Sequence, residues 1–427
     1  MAISNNKYLT GIRKFIFFQY LKIYVLAAYT KRLFKREFSI RRYLIFIKRA
    51  LLFLSKVTVN KVVKTQGVYK VHIYFPAFPT KAFFIALDKF LLLKGDKIKP
   101  YPTSVLLSIT KACNYNCPHC YQKNDMMKDI PIDQLRKLAK QIQDLKISFV
   151  NIEGGEPLLR FDRLLAVLDS IDDRSEVWVN TAGFSLTEEK ANRMKKAGVF
   201  GVMISLHHWQ SEKHDNFVGK KGAYDTALNA LKIFGKLGIS TAINCTATQE
   251  MINKEGFDKI MQIAKDNSVA IVQLIHEKPA GAWISKKDTL NKEYVKKLYD
   301  IHIKYNSLKC YPAVSSQVFE STENNFGCTA GGIERFYVNA NGDVQACEFV
   351  NLSFGNIMEE PFIDIYNRMR RAFDKPRTKW ICCTEHEKIQ KALKTSTPIS
   401  KEESEKIFKS FDLGKETDLY KKMKLYD

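Results

Sequence analysis

The sequence predicts an α/β fold built on a parallel sheet, with smaller regions before and after it. Strand-like apolar runs alternate with helical patterns over residues 103–306, and each predicted strand is followed by a helix. Repeated βα units of this kind place successive strands side by side and parallel. The chain has 427 residues, of which 45% are hydrophobic, so it can fill two or three domains with a sizeable core. The predicted strands are 105–110, 147–152, 177–180, 199–206, 239–246 and 270–275. The predicted helices are 132–145, 164–171, 188–197, 224–237, 257–265 and 286–306.

Residues 1–56 are predicted to form basic amphipathic helices. The first 60 residues hold thirteen Lys and Arg against Glu37 alone, which accounts for about half of the net charge of +23. Apolar runs at 15–29 and 43–54 contain charged residues and are too short to span a bilayer, which takes about 20 apolar residues. Such helices are typical of segments that lie on an anionic membrane. Two alternatives stay open: ordinary packing on the main domain, and contact with nucleic acid, which so many aliphatic and aromatic side chains disfavour.

Residues 57–102 are predicted to form a small α+β region and a linker. β-Branched, alternating residues at 57–63 and 68–75 indicate one or two hairpins. A helix is predicted at 82–93, and 96–102 would lead into the sheet.

Three cysteines follow the first predicted strand of the sheet at the spacing C-x3-C-x2-C: Cys113, Cys117 and Cys120. Thiolates are the usual ligands of iron–sulfur clusters, and a cubane takes four of them. Three local thiolates would therefore leave one iron open to a small molecule. Zinc, which usually has four protein ligands, and incidental cysteines remain alternatives, whereas odd, clustered cysteines disfavour disulfides. Nine cysteines, mostly in metal-like arrangements, favour a reducing compartment and predict a cytoplasmic protein.

The cysteine loop, together with the Gly-Gly-Glu-Pro stretch at 154–157, resembles the radical S-adenosylmethionine (radical SAM) enzymes over roughly residues 103–385. The resemblance implies that the six βα units curl into a partial (β/α)6 TIM-like barrel and that the three cysteines hold a [4Fe–4S] cluster. In that family the open iron binds the amino and carboxylate groups of S-adenosylmethionine. One electron then cleaves this cofactor to a 5′-deoxyadenosyl radical, which takes a hydrogen atom from the substrate.

The resemblance also implies which residues bind S-adenosylmethionine. Gly154 and Gly155 would let the backbone approach the ligand closely, and the carboxylate of Glu156 would hold its amino group. Polar side chains near the ends of the third, fourth and fifth strands would hold the ribose and the carboxylate, with simple strand caps as the alternative: Asn180, Ser205 and Asn244. His119 would lie beside the adenine or serve only in packing.

Residues 307–392 resemble the auxiliary-cluster modules called SPASM or twitch domains, and 393–427 form a charged, partly helical tail. Asn341-Gly342 between two short apolar runs predicts a hairpin. The resemblance implies one auxiliary [4Fe–4S] cluster held by Cys328, Cys347 and one or both of the adjacent Cys382 and Cys383. The adjacency departs from the usual pattern, so a cluster-free or zinc-bearing remnant is the alternative.

The sequence therefore predicts a radical SAM enzyme that modifies a peptide or protein, as most relatives with auxiliary-cluster modules do. The basic, apolar N-terminus favours as an alternative a lipid or lipid-linked substrate, met by an enzyme bound peripherally to the inner face of the membrane. A non-catalytic zinc-binding adaptor is an alternative of another class. Expected partners are an anionic membrane surface and a one-electron reductant such as ferredoxin or flavodoxin, without nucleic acid. No side chain is identified as the catalytic partner of the substrate radical.

Overall fold

The computed structural model describes residues 6–91, 101–123, 128–254, 256–287, 289–320, 322, 324–393 and 398–426. Its strands are β1 (Lys7–Leu9), β2 (Val62–Thr65), β3 (Val68–Lys70), β4 (Ser104–Ser108), β5 (Phe149–Glu153), β6 (Glu176–Thr181), β7 (Val199–Ser205), β8 (Ser240–Ala247), β9 (Ile271–His276), β10 (Ala313–Ser316), β11 (Arg335–Val338), β12 (Asp343–Cys347) and β13 (Val350–Asn356). Its helices are α1 (Gly11–Phe34), α2 (Ile40–Val57), α3 (Lys81–Asp88), α4 (Ile132–Asp144), α5 (Phe161–Leu168), α6 (Glu188–Lys196), α7 (Ser211–Val218), α8 (Ala223–Lys236), α9 (Gln249–Asn253), α10 (Gly256–Asp266), α11 (Lys292–Ser307), α12 (Gln317–Glu320), α13 (Phe362–Ala372), α14 (Ile381–Thr384), α15 (His386–Ala392), α16 (Lys401–Phe408) and α17 (Asp418–Met423). Three 3-10 helices cover 89–91, 157–160 and 281–283.

A ten-stranded sheet organises the chain, in the order β10-β9-β8-β7-β6-β5-β4-β11-β12-β13. Strands β4 to β10 are parallel, which confirms the six predicted strands and adds β10 beyond them. The predicted hairpin around Asn341-Gly342 is present as β11 and β12. Its first strand also pairs in parallel with β4, so the cysteine-containing module continues the main sheet.

The two faces of the parallel strands have different partners. Alternate residues such as Val150 and Ile152 pack with the surrounding helices in the largest hydrophobic cluster. Period-two alternation places Phe149, Asn151 and Glu153 on the other face, which we call the inner face. At its amino end the inner face is filled by a second apolar cluster: Val63, Ile73, Phe149, Trp178, Met203, Ala242, Ala270, Ile271 and Ala313.

The predicted strands at 57–59 and 71–75 are wrong, although a hairpin between 62 and 70 is present. Val57 is the last residue of α2, and β3 ends at Lys70. Beyond that point the chain turns, because the buried Lys70 ammonium binds the Phe75 carbonyl at 2.7 Å and the Glu176 carboxylate. The helix predicted at 82–93 is present up to residue 91 as α3 and the 3-10 turn that follows it, and 92–93 lie outside the described residues. Most of the predicted linker, 96–100, lies outside the described residues.

Helices α1 and α2 pack against the chain with one side. Tyr29 of α1 stacks on Phe46 of α2 with ring centroids 3.9 Å apart, and both rings are fully buried. The Arg49 guanidinium donates to the carbonyls of Met423 at 2.9 Å and Lys424 at 2.5 Å. Among the helices that the structure describes, none combines the length and apolar character needed to cross a membrane.

Candidate functional site

The cysteine loop leaves the carboxyl end of β4 and is held at its start and near its middle. The Thr110 hydroxyl and the Lys111 N–H donate to the Asp129 carboxylate at 2.6 and 2.9 Å. Further along, the Asn116 N–H donates to the Val218 carbonyl at the end of α7, at 2.9 Å. The loop therefore lies across the edge of the sheet at which the parallel strands end.

The three thiols of this loop interact with one another. Burial, and then the neighbouring Cys120 and Cys113, raise the pKa of Cys117 to about 12. Burial also raises the pKa of Cys113 to about 11. Because these neighbouring thiols disfavour one another's ionisation, three thiolates here would require positive charge, which the iron atoms of a cluster would supply. Within the described residues, no three His, Cys, Asp or Glu side chains form a group that could hold a single metal ion.

Gly154 and Gly155 seat the cysteine loop against β5. The Gly155 N–H donates to the Thr110 carbonyl at 2.7 Å, and the Glu156 N–H to the Ala112 carbonyl at 2.8 Å. A Cβ on either glycine would lie 2.4 Å from one of these two carbonyl oxygens. Both positions therefore exclude any side chain. Their predicted contact with S-adenosylmethionine stays a prediction.

The Glu156 carboxylate is buried and already accepts three hydrogen bonds from the chain. The donors are the Thr181 hydroxyl at 2.5 Å, the Ala182 N–H at 2.7 Å and the Leu158 N–H at 3.0 Å. Burial raises the pKa of Glu156 to about 7, against the effect of these bonds. Glu156 thus links the end of β6 to the turn after β5 through hydrogen bonds. Its contact with the amino group of S-adenosylmethionine stays a prediction.

Glu153, the last residue of β5, is a site residue that the sequence reading missed. Its carboxylate accepts from the Tyr121 hydroxyl, beside the third cysteine, and from Asn180 Nδ2 at 3.1 Å. Burial, and then the nearby Glu348, raise the pKa of Glu153 to about 8. The period-two pattern of β5 is sufficient to place this carboxyl on the inner face, but only Glu156 belongs to the Gly-Gly-Glu-Pro motif.

The predicted polar residues at the strand ends lie on neighbouring strands, and their free atoms suit a polar ligand. Ser205 and Asn244 are register partners on β7 and β8, and Asn180 lies near the end of β6. Several buried side-chain atoms of this region have no hydrogen-bond partner among the described residues: Asn180 Oδ1, Asn244 Oδ1, Asn151 Oδ1 and Nδ2, and Gln273 Oε1. Buried polar atoms are normally paired, so this arrangement fits the binding of a ligand rich in hydroxyl and amino groups, such as S-adenosylmethionine.

His119 belongs to an aromatic group beside the loop. Its ring stacks on Phe217 at 4.9 Å and meets His207 edge-on at 4.6 Å, with Trp283 at 5.8 Å. Burial lowers the pKa of His119 to about 4, so the ring is neutral at physiological pH. A cavity of about 500 Å³ lined in part by His207, Phe217 and Trp283 adjoins it, and the predicted proximity to adenine stays a prediction.

The four cysteines of the C-terminal module come together from three separate segments. Cys328, Cys347 and Cys382 line one small cavity, and the sulfurs of Cys382 and Cys383 are 3.7 Å apart. The contact between these two lowers the pKa of Cys383 and raises that of Cys382. The chain thus brings all four predicted ligands of an auxiliary cluster close together.

Three basic side chains around these cysteines were not predicted from the sequence. Lys278 Nζ lies 3.8 Å from Cys382 Sγ, and His276 Nε2 lies 3.8 Å from Cys383 Sγ. Arg335 lines the same cavity as Cys328 and Cys347. Burial lowers the pKa of His276 well below its usual value, so the positive charge that offsets cysteine thiolates comes from Lys278 and Arg335.

Two family models match the chain over the two cysteine sites. A model of the radical SAM superfamily matches residues 107–266, and the SPASM model, an iron–sulfur cluster-binding domain, matches residues 328–388. Among curated proteins, the AdoMet-dependent heme synthase of Nitratidesulfovibrio vulgaris is 26% identical over 294 residues, which cover 62% of this chain and 80% of that protein. The GTP 3′,8-cyclase of Helicobacter pylori is 27% identical over 199 residues, covering 44% and 61%.

Solved structures with the same fold include SuiB of Streptococcus suis. SuiB bound to S-adenosylmethionine superposes with a TM-score of 0.54 at 17% identity, over 66% of this chain and 71% of that chain. SuiB bound to its precursor peptide SuiA superposes with a TM-score of 0.52 at 16% identity, over 65% and 67%. At this identity the likeness concerns the fold alone, and it confirms the predicted α/β, partial TIM-like barrel class.

Proposed function

This chain belongs to the radical SAM superfamily and carries a SPASM region, and on that basis we propose that Cys113, Cys117 and Cys120 hold the cluster at which it cleaves S-adenosylmethionine. When bound, the [4Fe–4S] cluster and S-adenosylmethionine supply the one-electron cleavage and the hydrogen-atom abstraction. One observation carries the proposal. The three interacting thiols lie at the carboxyl edge of the parallel sheet, and the inner face of the same sheet holds amide oxygens without hydrogen-bond partners. Cofactor and substrate would meet on that face.

The residues around the loop would bind and orient the cofactor. The unpartnered oxygens of Asn180 and Asn244, together with the Ser205 hydroxyl, are suited to accept hydrogen bonds from ribose hydroxyls. A carboxylate accepts about four hydrogen bonds, and Glu156 uses three of its positions within the chain. One position is left for the amino group of S-adenosylmethionine. Glu156 would thus fix the strand end and bind the cofactor at once.

We further propose that Cys328, Cys347, Cys382 and Cys383 hold one auxiliary [4Fe–4S] cluster. Lys278 and Arg335 would lower the cost of placing a negatively charged cluster in a buried site. An auxiliary cluster there would pass electrons to or from the substrate. Ferredoxin or flavodoxin is the class of donor proposed for the first cluster.

Two classes of substrate have support. A peptide or protein is the first, and SuiB, whose fold this chain shares, is described with a bound precursor peptide. A lipid or lipid-linked molecule is the second, and the specific observation that favours it is the exposed apolar outer surface of α1. Both classes would use the same chemistry on the inner face of the sheet.

The test is anaerobic reconstitution of the full chain with iron, sulfide and S-adenosylmethionine, followed by incubation with deuterium-labelled cell extract. The expected result is iron and sulfide in the protein, formation of methionine and 5′-deoxyadenosine, and deuterium in the latter. A protein that binds zinc instead, contains no iron–sulfur cluster and cleaves no S-adenosylmethionine would be the non-catalytic adaptor, and the proposal would be wrong.

A further inference from the structure

Helix α1 is apolar on the side that faces away from the chain as well as on the side that packs. Of the eighteen large hydrophobic side chains exposed among the described residues, eleven lie on α1 and α2. Those with the largest exposed fractions are Ile12, Ile23, Phe34, Leu44 and Ile40, at 60% to 82%. A helix that is hydrophobic all round is normally buried, so this outer surface is expected to contact another apolar phase or molecule.

The positive charge around this surface indicates that its partner is anionic. Lys31, Lys35, Arg36, Arg41 and Lys48 are exposed on the two helices and the turn between them. The single acidic side chain of this segment is paired already, because Glu37 accepts from Arg32 at 2.7 Å. Apolar side chains flanked by exposed cations suit the headgroup region of a bilayer with anionic lipids.

A cavity of about 140 Å³ opens between α1 and α2. All of the side chains that line it are apolar except Lys22 and His72. Leu26 and Leu51, which are 37% and 49% exposed, lie at its outer edge, next to the exposed apolar surface of α1. An apolar cavity of this kind excludes water and binds apolar molecules.

A second cavity, of about 90 Å³, adjoins the first and has more polar side chains in its lining. The two share Phe53, Val57, His72 and Phe75 as lining residues. The far side of the second cavity is lined by Tyr74, Gln317, Glu320, Glu334 and Arg335, among others.

The second cavity adjoins the auxiliary-cluster site. Arg335 and Gln317 also line the cavity of the auxiliary-cluster cysteines. On the other side, the Tyr74 hydroxyl accepts from Gln273 Nε2 on the inner face of β9. The lining therefore changes from hydrocarbon at the outer surface to a mixture with polar groups near the auxiliary site and the inner face.

We propose that the cavity between α1 and α2 binds the hydrocarbon chain of a lipid or lipid-linked substrate taken from an anionic bilayer, with the polar end of the substrate directed through the second cavity to the inner face. The inference rests on the proposed radical SAM function and specifies its substrate class. A peptide in the same cavity would leave its backbone N–H and C=O groups without partners, which is costly, whereas a hydrocarbon chain has no such groups. Removal of residues 1–56 is not a clean test, because Tyr29 and Phe46 belong to the packed core.

The membrane surface is tested by co-sedimentation of the reconstituted full chain with vesicles of phosphatidylcholine, alone or mixed with phosphatidylglycerol. We expect binding to the mixed vesicles that weakens with salt, and at least about tenfold weaker binding for the double variant Ile16→Asp, Ile23→Asp. The matched control is Ile303→Asp, Ile363→Asp, two exposed isoleucines elsewhere on the surface, which should bind as the wild type does. Equal binding by both double variants, or formation of a dimer in place of vesicle binding, would overturn the membrane assignment.

The cavity is tested with a fluorescent fatty acid, 11-(dansylamino)undecanoic acid. Ala50 lines the cavity, so Ala50→Phe should fill it and weaken probe binding about tenfold or more, while Ala27→Phe on the exposed side of α1 should not. Leu51→Arg, at the outer edge, gives a second variant in case Ala50→Phe does not fold.

The outcomes separate the two proposals. Absence of S-adenosylmethionine cleavage by the wild type would refute the proposed function. Normal cleavage without probe binding, or deuterium transfer from a labelled peptide that Ala50→Phe leaves unchanged, would refute the lipid assignment alone. Normal cleavage by Ala50→Phe together with lost probe binding and lost deuterium transfer from a labelled lipid extract would support it.

Discussion

The two cysteine sites of this chain are built in opposite ways. Cys113, Cys117 and Cys120 lie within eight residues of one loop, and each is at least partly exposed. The auxiliary site joins Cys328, the end of β12 and α14, and three of its four cysteines are buried. The first site has three thiols, and the second has four, with the Lys278 ammonium and the neutral His276 ring close to its sulfurs.

The difference indicates a division of labour. A cluster with three thiolates keeps one iron free for S-adenosylmethionine, whereas a cluster with four is complete and suited to electron transfer. Partial exposure of the loop would let a small molecule enter, and burial of the auxiliary site would keep solvent from a cluster bound there. Four single substitutions test this difference between the two sites.

The largest effect is expected for Cys117→Ala. Loss of one of only three thiolates should abolish S-adenosylmethionine cleavage and lower bound iron from about eight to about four atoms per chain. The measurements are 5′-deoxyadenosine formation and iron content under anaerobic conditions. Cys310→Ala, which removes an exposed cysteine outside both sites, is the control and should behave as the wild type does. Full cleavage by Cys117→Ala would end the distinction between the sites.

Cys347→Ala should remove the auxiliary cluster and leave the first cluster in place. Iron should again fall to about four atoms per chain, but S-adenosylmethionine cleavage should continue, with little hydrogen transfer from substrate. The measurement is the ratio of 5′-deoxyadenosine to modified product. A variant that loses cleavage as completely as Cys117→Ala, while remaining folded by circular dichroism, would show that the auxiliary site does more than transfer electrons.

Gly155→Ala should weaken the first site without removing a ligand. The new Cβ would meet the backbone carbonyl oxygens of Ala112 and Lys111 at 2.4 and 2.6 Å, so the cysteine loop must move, at a cost of about 1–3 kcal/mol. We expect weaker S-adenosylmethionine binding and a lower melting temperature. Gly235→Ala in α8, where a Cβ meets no atom of the described chain within 4 Å, should raise stability by about 1 kcal/mol. Equal effects of the two substitutions would contradict the seating role of Gly155.

Glu153→Gln removes no cysteine and should change the pH dependence of stability. Folding raises the pKa of Glu153 from 4.5 to about 8, chiefly by burial. The folded chain therefore holds a proton that the unfolded chain has lost, and stability decreases as pH rises through this interval. The glutamine variant should lose less stability between about pH 5 and 8 in urea unfolding of the metal-free chain. The exposed Glu359→Gln variant is the control, and identical pH profiles for all three proteins would contradict the assignment.

The cysteines and glycines of the first site could be identified from the sequence because they are local in the chain, and their roles as ligands stay a prediction. All six strands of the predicted sheet are present for the same reason, since each βα unit carries its own pattern. β10 was missed because its four residues, Ala-Val-Ser-Ser, give too short a run to stand out. The strand predicted at 71–75 shows the converse: alternation continues in the sequence where Lys70, buried against Glu176, has already turned the chain.

The surroundings of the second site could not be predicted from the sequence. His276 is the last residue of β9, Lys278 follows it, and Arg335 is the first residue of β11. Only the order of the strands in the sheet brings these three residues to the cysteines. The same holds for the cavity between α1 and α2. The sequence indicated two apolar helices, but the distance at which they pack, and hence the space between them, is a tertiary property.

The central claim, that the first cluster has one iron without a protein ligand, is tested most directly by electron paramagnetic resonance of the dithionite-reduced Cys347→Ala protein, which should contain only that cluster. Addition of S-adenosylmethionine should shift the spectrum of the reduced cluster, because the cofactor binds the open iron. A [4Fe–4S] spectrum that does not change when S-adenosylmethionine is added in excess, or a protein that shows no iron–sulfur signal at all, would contradict the claim.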